Sequence, residues 1–461
     1  MICDETGYAV RIEISNCVKS PRLNLSGFEG LVAARLLYLG PAGTEPSPDN
    51  PYCRDPFYEN DSFMRKAVWS PCTAEELKPW TTWGLLRDDE GYLWLSYWTH
   101  FGLRLPGLAE KGLLLVFEVP DIVAVKQGTM KIFANDILLM TAVLDRPGEY
   151  RLQIPMKEFF LQTEAYLTDA HRIQERLFRE FLRVADQNGI RYYLFCGGLI
   201  GALRHRGPIP WDDDLDIALP REEFQKLLEA AKREWGPENP DFRFLNYRDY
   251  GKNVFFDYMA RLACLSEQTE TDTFREVEDA GGPDLKGCLA MDFYLLERAP
   301  KSERLHHLQC SIIRLLYVLS LGHRAGFRAS EHERGSRREQ RIVGLVSGIG
   351  RFLPLGLLNG LYERIIRLGV PRGAGAEGTA AGDEAGDEEK VCYYQANGYH
   401  RCYEMRLPVA WFGWGRTEPF GPLTVSVPKE AEKVLQRFYG NYEAYPDVVD
   451  RKPVHRRKPG K

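Results

Sequence analysis

"GALRHRGPIPWDDDLDIALPREEF", residues 201–224, decides how this chain is read. Four aspartates, Asp212, Asp213, Asp214 and Asp216, fall within five residues. Arg204, His205 and Arg206 stand upstream, and Leu215, Ile217, Ala218 and Leu219 thread the acidic end. On a strand, residues two apart share a face, so Asp214 and Asp216 point the same way. Asp212 joins them if the extended geometry begins early. Carboxylates sharing one face repel each other. A divalent cation relieves that repulsion, and an all-oxygen set favours magnesium or manganese, with water and phosphate completing the shell. Asp213 points to the opposite face, where a structural hydrogen bond is expected. The competing reading is a solvated acidic turn capping the next helix. The apolar run Ile217–Leu219 disfavours it, because such a strand is buried. So does the Gly197-Gly198 pair upstream, at a strand-to-helix turn suited to bring backbone N–H groups close to phosphate. Arg204 and His205 lie between the two features as cationic donors.

The flanking pattern is α/β. "LTDAHRIQERLFREFLRVADQNGI" places Ile173, Leu177, Phe178, Phe181, Leu182 and Ala185 at helical spacing, with Thr168 as N-cap and Asn188-Gly189 as stop. "IRYYLFC" reads as a strand, then come the glycine turn, a short helix, the strand "DDLDIAL", and a helix with Pro220 at its start. Residues 302–367 read as helices interrupted near 325–335. The stretch 369–390 is acidic and rich in Gly and Ala, and is expected to be a disordered loop.

Residues 1–158 have a different texture. Short runs of β-formers at 91–98, 112–119, 128–136, 137–144 and 148–155 are separated by turn signals such as Asn135-Asp136 and Pro147-Gly148. They predict a β-sandwich-like domain, and the stretch before Gly91 reads as loops. The expected class is therefore α+β: a β-rich accessory domain over 1–158, then an α/β catalytic domain over 159–461. Tyr92, Trp94, Tyr97 and Trp98 could stack on sugars, although packing within the sheet is the favoured reading.

The 461 residues carry a net charge of −5, which excludes a global basic field for nucleic acid. Ten cysteines lack any C-x-x-C pair, so reduced thiols in a cytoplasmic protein are expected. Cys392, His400 and Cys402 lack a well-spaced fourth zinc ligand. No signal peptide is visible at the start. The apolar window 342–366 is broken by Arg351 and Pro354; helix packing is favoured there over a place on a membrane surface.

"CGGLIGALRHRGPIPWDDDLDIALPREEF" closely resembles the signature of the LicD family, which includes the fukutin-related sugar-phosphate transferases. The family pattern is a Gly-Gly/Ser/Thr turn, Leu-Leu-Gly-Ala, Arg-His-x-Gly, then Ile-Pro-Trp-Asp-Asp-Asp-x-Asp-Ile. Gly198 stands where many members have Thr, and Pro208 where an aromatic is usual. A weaker resemblance extends over roughly 165–457. It includes "AMDFYLLERAP", which places Asp292 as a third carboxylate and Glu297 at a second acidic position, Arg261 ahead of it, and a closing segment with Tyr439, Gly440 and His455.

The resemblance implies a nucleotidyltransferase-type fold and a transferase dependent on Mg2+ (or Mn2+). It would move a phosphate-linked group such as phosphocholine from a CDP-linked donor to a hydroxyl of a cell-surface glycan or glycolipid precursor, such as lipopolysaccharide or teichoic acid. Asp214, Asp216 and Asp292 are the expected catalytic residues. Asp212, Asp214, Asp216 and Asp292 are the expected metal ligands. Gly197, Gly198, Arg204, His205, Arg261 and His455 are expected to bind substrate phosphate. No nucleic-acid partner is expected, and the expected location is the cytoplasm, with peripheral contact at the inner face of the membrane left open. Two alternatives stand beside this: a catalytically silent glycan-binding protein, and a nucleotidyltransferase that makes the activated donor.

Overall fold

Alternation of apolar and polar residues builds a first, antiparallel sheet. Its strands are β1 (Tyr8–Cys17), β2 (Val32–Pro41), β3 (Trp83–Arg87), β4 (Leu93–Leu103), β5 (Leu113–Val119), β6 (Val125–Ala134), β7 (Ile137–Leu144) and β8 (Gly148–Ile154). The computed structural model describes residues 8–17, 32–41, 83–87, 93–103, 112–119, 125–134, 137–275, 277, 283–324, 326–327, 337–368, 389–394, 406–445 and 451–457. The strand order is β7-β6-β1-β4-β2-β5-β8, with β3 also on β4. β4 pairs with β2 through Leu93–Ser96 and with β1 through Trp98–Leu103, so it changes partner midway.

The stretch before Gly91 is thus not loop alone. β1 alternates, and its Ile12 and Ile14 are buried. The Pro- and Trp-rich residues 42–82, which suggested loops, lie outside the described residues. So do residues 369–388 of the acidic loop; Lys390 of that stretch already begins a strand. His400 and Cys402 also lie outside them.

Only Pro155 separates β8 from α1 (Met156–Gln187), a single helix of 32 residues. Thr168 is therefore inside a helix and not its N-cap. The apolar period extends upstream through Thr163, Tyr166 and Leu167, all buried, so the helix begins earlier than its strongest stretch. It ends at Asn188, and Gly189 takes φ +57, as a left-handed stop requires.

The second sheet carries the acidic motif. Its strands are β9 (Tyr193–Phe195), β10 (Asp216–Pro220), β11 (Phe242–Leu245), β12 (Ala260–Cys264), β13 (Ala290–Arg298), β14 (Lys390–Tyr393) and β15 (Leu407–Pro408). The order is β11-β12-β13-β10-β9, with β14 on β13 and β15 on β14. Among the described strands of this sheet only β10 and β13 run parallel. A hairpin, β16 (Arg416–Phe420) and β17 (Leu423–Val427), stands apart.

The helices are α2 (Cys196–Ile200, continued as a π turn over Gly201–His205), α3 (Arg221–Glu234), α4 (Glu303–Ser320), α5 (Arg337–Gly350), α6 (Leu355–Ile366) and α7 (Ala431–Tyr439). α1 lies on the sheet through Phe181, whose ring is 5.5 Å from Phe293 of β13. One continuous core joins α1, the second sheet, α3, α4, α6 and α7. This core holds β10 and β13 rigid, and their N-terminal ends carry the acidic residues.

Candidate active site

The register of the second sheet aligns three charged residues. Asp216 of β10 pairs with Asp292 of β13, and Asp292 pairs with Arg261 of β12. Cross-strand partners share a face, so Arg261, Asp292 and Asp216 form one row across the sheet. β10 begins only at Asp216, so Asp212 and Asp214 sit on the irregular approach to the strand.

Each carboxylate has a distinct environment. Burial pushes Asp212 and Asp216 well above the usual carboxylate range, and Asp214 beside each adds to the effect. Burial also raises Asp214, but His455 and a hydrogen bond with Asp212 outweigh it and leave Asp214 low. Asp292 is raised by burial against the pull of Arg261. His455 Nε2 lies 3.9 Å from Asp214 Oδ2. Burial would lower this imidazole, yet Asp214 and Asp213 lift it to about 9, so it is a cation at neutral pH. The His455 and Asp214 side chains are 35% and 39% exposed, open enough to meet a ligand.

Asp213 takes the structural role expected of the opposite face. Its Oδ1 accepts from the Val454 amide at 2.7 Å, and its Oδ2 accepts from the His455 amide at 2.8 Å and the Tyr166 hydroxyl at 2.7 Å. That carboxylate anchors the C-terminal segment beside the acidic group. The Asp272 amide donates to the His455 carbonyl at 2.7 Å and the Arg457 amide to the Glu270 carbonyl at 2.7 Å, holding the same segment from its other side.

Arg261 is not turned toward an open phosphate site. Its Nε donates to Asp292 Oδ1 at 2.9 Å, and Nη2 donates to Asp292 Oδ2 at 3.2 Å and Asp257 Oδ2 at 2.7 Å. Nη1 donates to Asp257 Oδ1 at 2.8 Å and the Tyr250 hydroxyl at 3.4 Å. All five N–H groups are engaged, and the guanidinium also lies over Phe256. Its evident work is to hold Asp292 in place. Arg204 likewise donates to the Tyr442 and Ala444 carbonyls at 2.8 and 3.1 Å and packs on Tyr445. His205 accepts from Arg204 Nε at 2.9 Å and meets Trp211 and Tyr445 edge-on. Both residues fasten the C-terminal segment to the motif.

Gly197 and Gly198 occupy the first turn of α2. A Cβ at Gly197 would strike Asp212 Oδ2, and one at Gly198 would come within 2.7 Å of Leu194 Cδ1. Gly197 therefore lets α2 approach the acidic residues closely, and Gly198 lets it pack on Leu194 and Leu215. Cys196, at φ +43, precedes them in a strained left-handed conformation. Burial and the charge of Asp216 keep its thiol well above the usual range, so it stays protonated and donates to Asp216. Glu297 is buried near the far end of β13, paired with Arg221 and away from the row. The chain sequence carried no local signal for Cys196, Asp257, Tyr166 or His171, whose Nε2 donates to the Asp212 carbonyl at 2.9 Å.

The donor set is hard oxygen, the chemistry a divalent metal takes, and Asp212 and Asp216 carry repulsion that a cation would relieve. Among the described residues no three His, Cys, Asp or Glu side chains are already gathered around a metal position. A cavity of about 460 Å³ lies at the opposite end of the β10–β13 pair, lined by Arg221, Arg248, Tyr247 and Tyr362, and is separate from these carboxylates.

Residues 189–273 match the LicD/FKTN/FKRP nucleotidyltransferase domain. The chain is 23% identical over 285 residues to the lipopolysaccharide cholinephosphotransferase LicD of Haemophilus influenzae, across 60% of this chain and 90% of that protein. It is 37% identical over 76 residues to an uncharacterized protein of Rickettsia typhi, and 42% identical over 56 residues to one of Rickettsia prowazekii. These two matches span 16% and 12% of this chain and 21% of each relative.

Proposed function

From its membership of the LicD family, we propose that this chain transfers a phosphate-linked group, phosphocholine in the first instance, from a CDP-linked donor to a glycan hydroxyl. The observation that carries the reading is the row Arg261–Asp292–Asp216 with Asp214 and cationic His455 at its end. The name of the Haemophilus relative supplies the transferred group and lipopolysaccharide as the acceptor class.

In this reading Asp214, Asp216 and Asp292 hold magnesium, with Asp212 assisting. The metal, when bound, neutralises charge on the donor diphosphate during in-line displacement. The imidazolium of His455 donates a hydrogen bond to a phosphate oxygen and stabilises the departing nucleotide. Asp292, held by Arg261, orients the acceptor hydroxyl and accepts its proton. Protonated Cys196 keeps Asp216 oriented. Presence of every carboxylate of the motif speaks against a silent binding protein.

The test is a thermal-shift screen of CDP-choline, CDP-glycerol, CDP-ribitol and a UDP-sugar, each with and without magnesium. A ligand that binds only the folded chain raises its melting temperature by mass action. A CDP-linked ligand whose shift depends on magnesium supports the proposal. A shift with the UDP-sugar alone, or with none of them, defeats it.

A further inference from the structure

The surface formed by α5, the bend after it and α6 has an unusual composition. From Arg341 to Leu368 every exposed residue is an arginine, a large apolar residue, a proline or a glycine; the exposed acid of α5, Glu339, lies in its first turn, ahead of this span. A soluble surface normally mixes both charges and keeps apolar groups scattered. Here the apolar groups are ordered. Ile342, Leu345 and Ile349 are exposed at i, i+3 and i+7, one stripe of α5. Leu357 and Leu361, at i and i+4, form one stripe of α6. α6 already buries its other stripe, Leu355, Leu358, Tyr362 and Ile366, in the core. Its exposed stripe is thus a second apolar face with no partner among the described residues.

The chain bends by 113° between the two helices. Phe352 stands at the bend and is 89% exposed; Leu345, a turn and a half before the end of α5, is 71% exposed. No single described helix is long and apolar enough to cross a membrane. At about 1.5 Å per residue, 14 and 12 residues reach only about 20 Å each, short of a hydrocarbon core of about 30 Å. Such a bent pair can lie in an interface with its apolar stripes inserted. The charges choose the kind of interface. The exposed Arg341, Arg351 and Arg364 flank the apolar stripes, while Arg367 pairs at 3.2 Å with the half-buried Glu363, which also accepts from Tyr247 at 2.6 Å. Guanidinium groups bordering an apolar wedge complement lipid phosphates and a negative surface potential.

We infer that α5, the Phe352 bend and α6 dock this protein on the surface of an anionic lipid bilayer, with Phe352 and the Leu345 stripe in the acyl boundary and the arginines on headgroup phosphates. This goes beyond the proposed reaction, and its test reads no turnover.

The full chain is floated with vesicles of phosphatidylglycerol and phosphatidylcholine, and with vesicles of phosphatidylcholine alone. The wild type is expected to float with the anionic vesicles, at least about tenfold better than with neutral ones, and to be released by high salt. Leu345→Ser/Phe352→Ser/Leu361→Ser is expected to lose flotation, and Arg341→Glu/Arg351→Glu to lose the preference for anionic lipid. All five positions are exposed, so melting temperatures should match the wild type and show that the variants fold. The inference is overturned if the wild type stays with the unbound fraction, or if the triple variant floats equally well. It is equally overturned if sedimentation shows a dimer that Phe352→Ser dissolves while lipid binding is absent, since the face then joins two copies.

Discussion

Replacing Arg261 by Met keeps most of the stem volume and removes the charge from the centre of the row. The guanidinium makes four contacts of 2.7–3.2 Å to two carboxylates, Asp257 and Asp292, and is itself buried. Removing one partner of a buried ion pair costs about 3–5 kcal/mol, because the remaining charge is left without compensation. Two carboxylates are orphaned here, but they can take up protons, and that caps the loss. We expect Arg261→Met to lose about 3–5 kcal/mol at pH 8. At roughly 2–4 °C per kcal/mol, this lowers the melting temperature by about 10 °C.

The sign with pH follows from the same contacts. Without Arg261, nothing opposes the burial that raises Asp292, so this folded carboxylate has raised affinity for protons relative to the unfolded chain. The destabilisation is present above its folded pKa and is relieved as pH falls through it. The gap between variant and wild type should therefore narrow from pH 8 to pH 5.5. Adding Asp257→Asn to Arg261→Met should recover part of the loss by removing one orphaned charge. The assay is thermal unfolding followed by circular dichroism at both pH values. A variant melting within a degree or two of the wild type at pH 8 would refute the clamp. So would a double variant less stable than the single one.

Asp216→Asn should lower turnover by several orders of magnitude while leaving the melting temperature unchanged or a few degrees higher, since the removed charge is buried beside Asp214 and Asp292; an active variant in an end-point transfer assay sinks the catalytic reading. Donor affinity should fall as pH rises through about 9, where His455 loses its proton, and His455→Gln should flatten that profile in a calorimetric titration. If the two profiles coincide, His455 does not carry the charge that meets the donor. Gly197→Ala sets a methyl against Asp212 Oδ2, so it should cut turnover at least about tenfold, more than the equivalent change at Gly348, where nothing lies within 4 Å of an added Cβ; equal kinetics for the two variants would remove the close approach from the argument.

Much of this site is legible in residues 196–224, because the relations there are local. Spacing marks Asp214 and Asp216 as one group and Asp213 as another, although the strand begins only at Asp216, and glycines next to a strand end mark a close approach. The long amphipathic helix before it is legible for the same reason, although its start is not: Thr168 has the chemistry of an N-cap, yet the helix begins at Met156. The relations that complete the site are long-range. Asp292 stands beside Asp216 because β13 pairs in parallel with β10, and that register follows from burying a whole core. His455 arrives 242 residues after Asp213 because that buried carboxylate accepts two amides of the terminal segment. Arg261 reads in the chain as a cation free for phosphate. Only the fold shows that Asp257 and Asp292 surround it, because a buried guanidinium must be compensated by whatever the packing brings near it. The outward stripes of α5 and α6 are likewise ordinary helical apolar positions in the sequence. Which stripe meets the core and which is left on the surface depends on where the second sheet and α4 already fill the space.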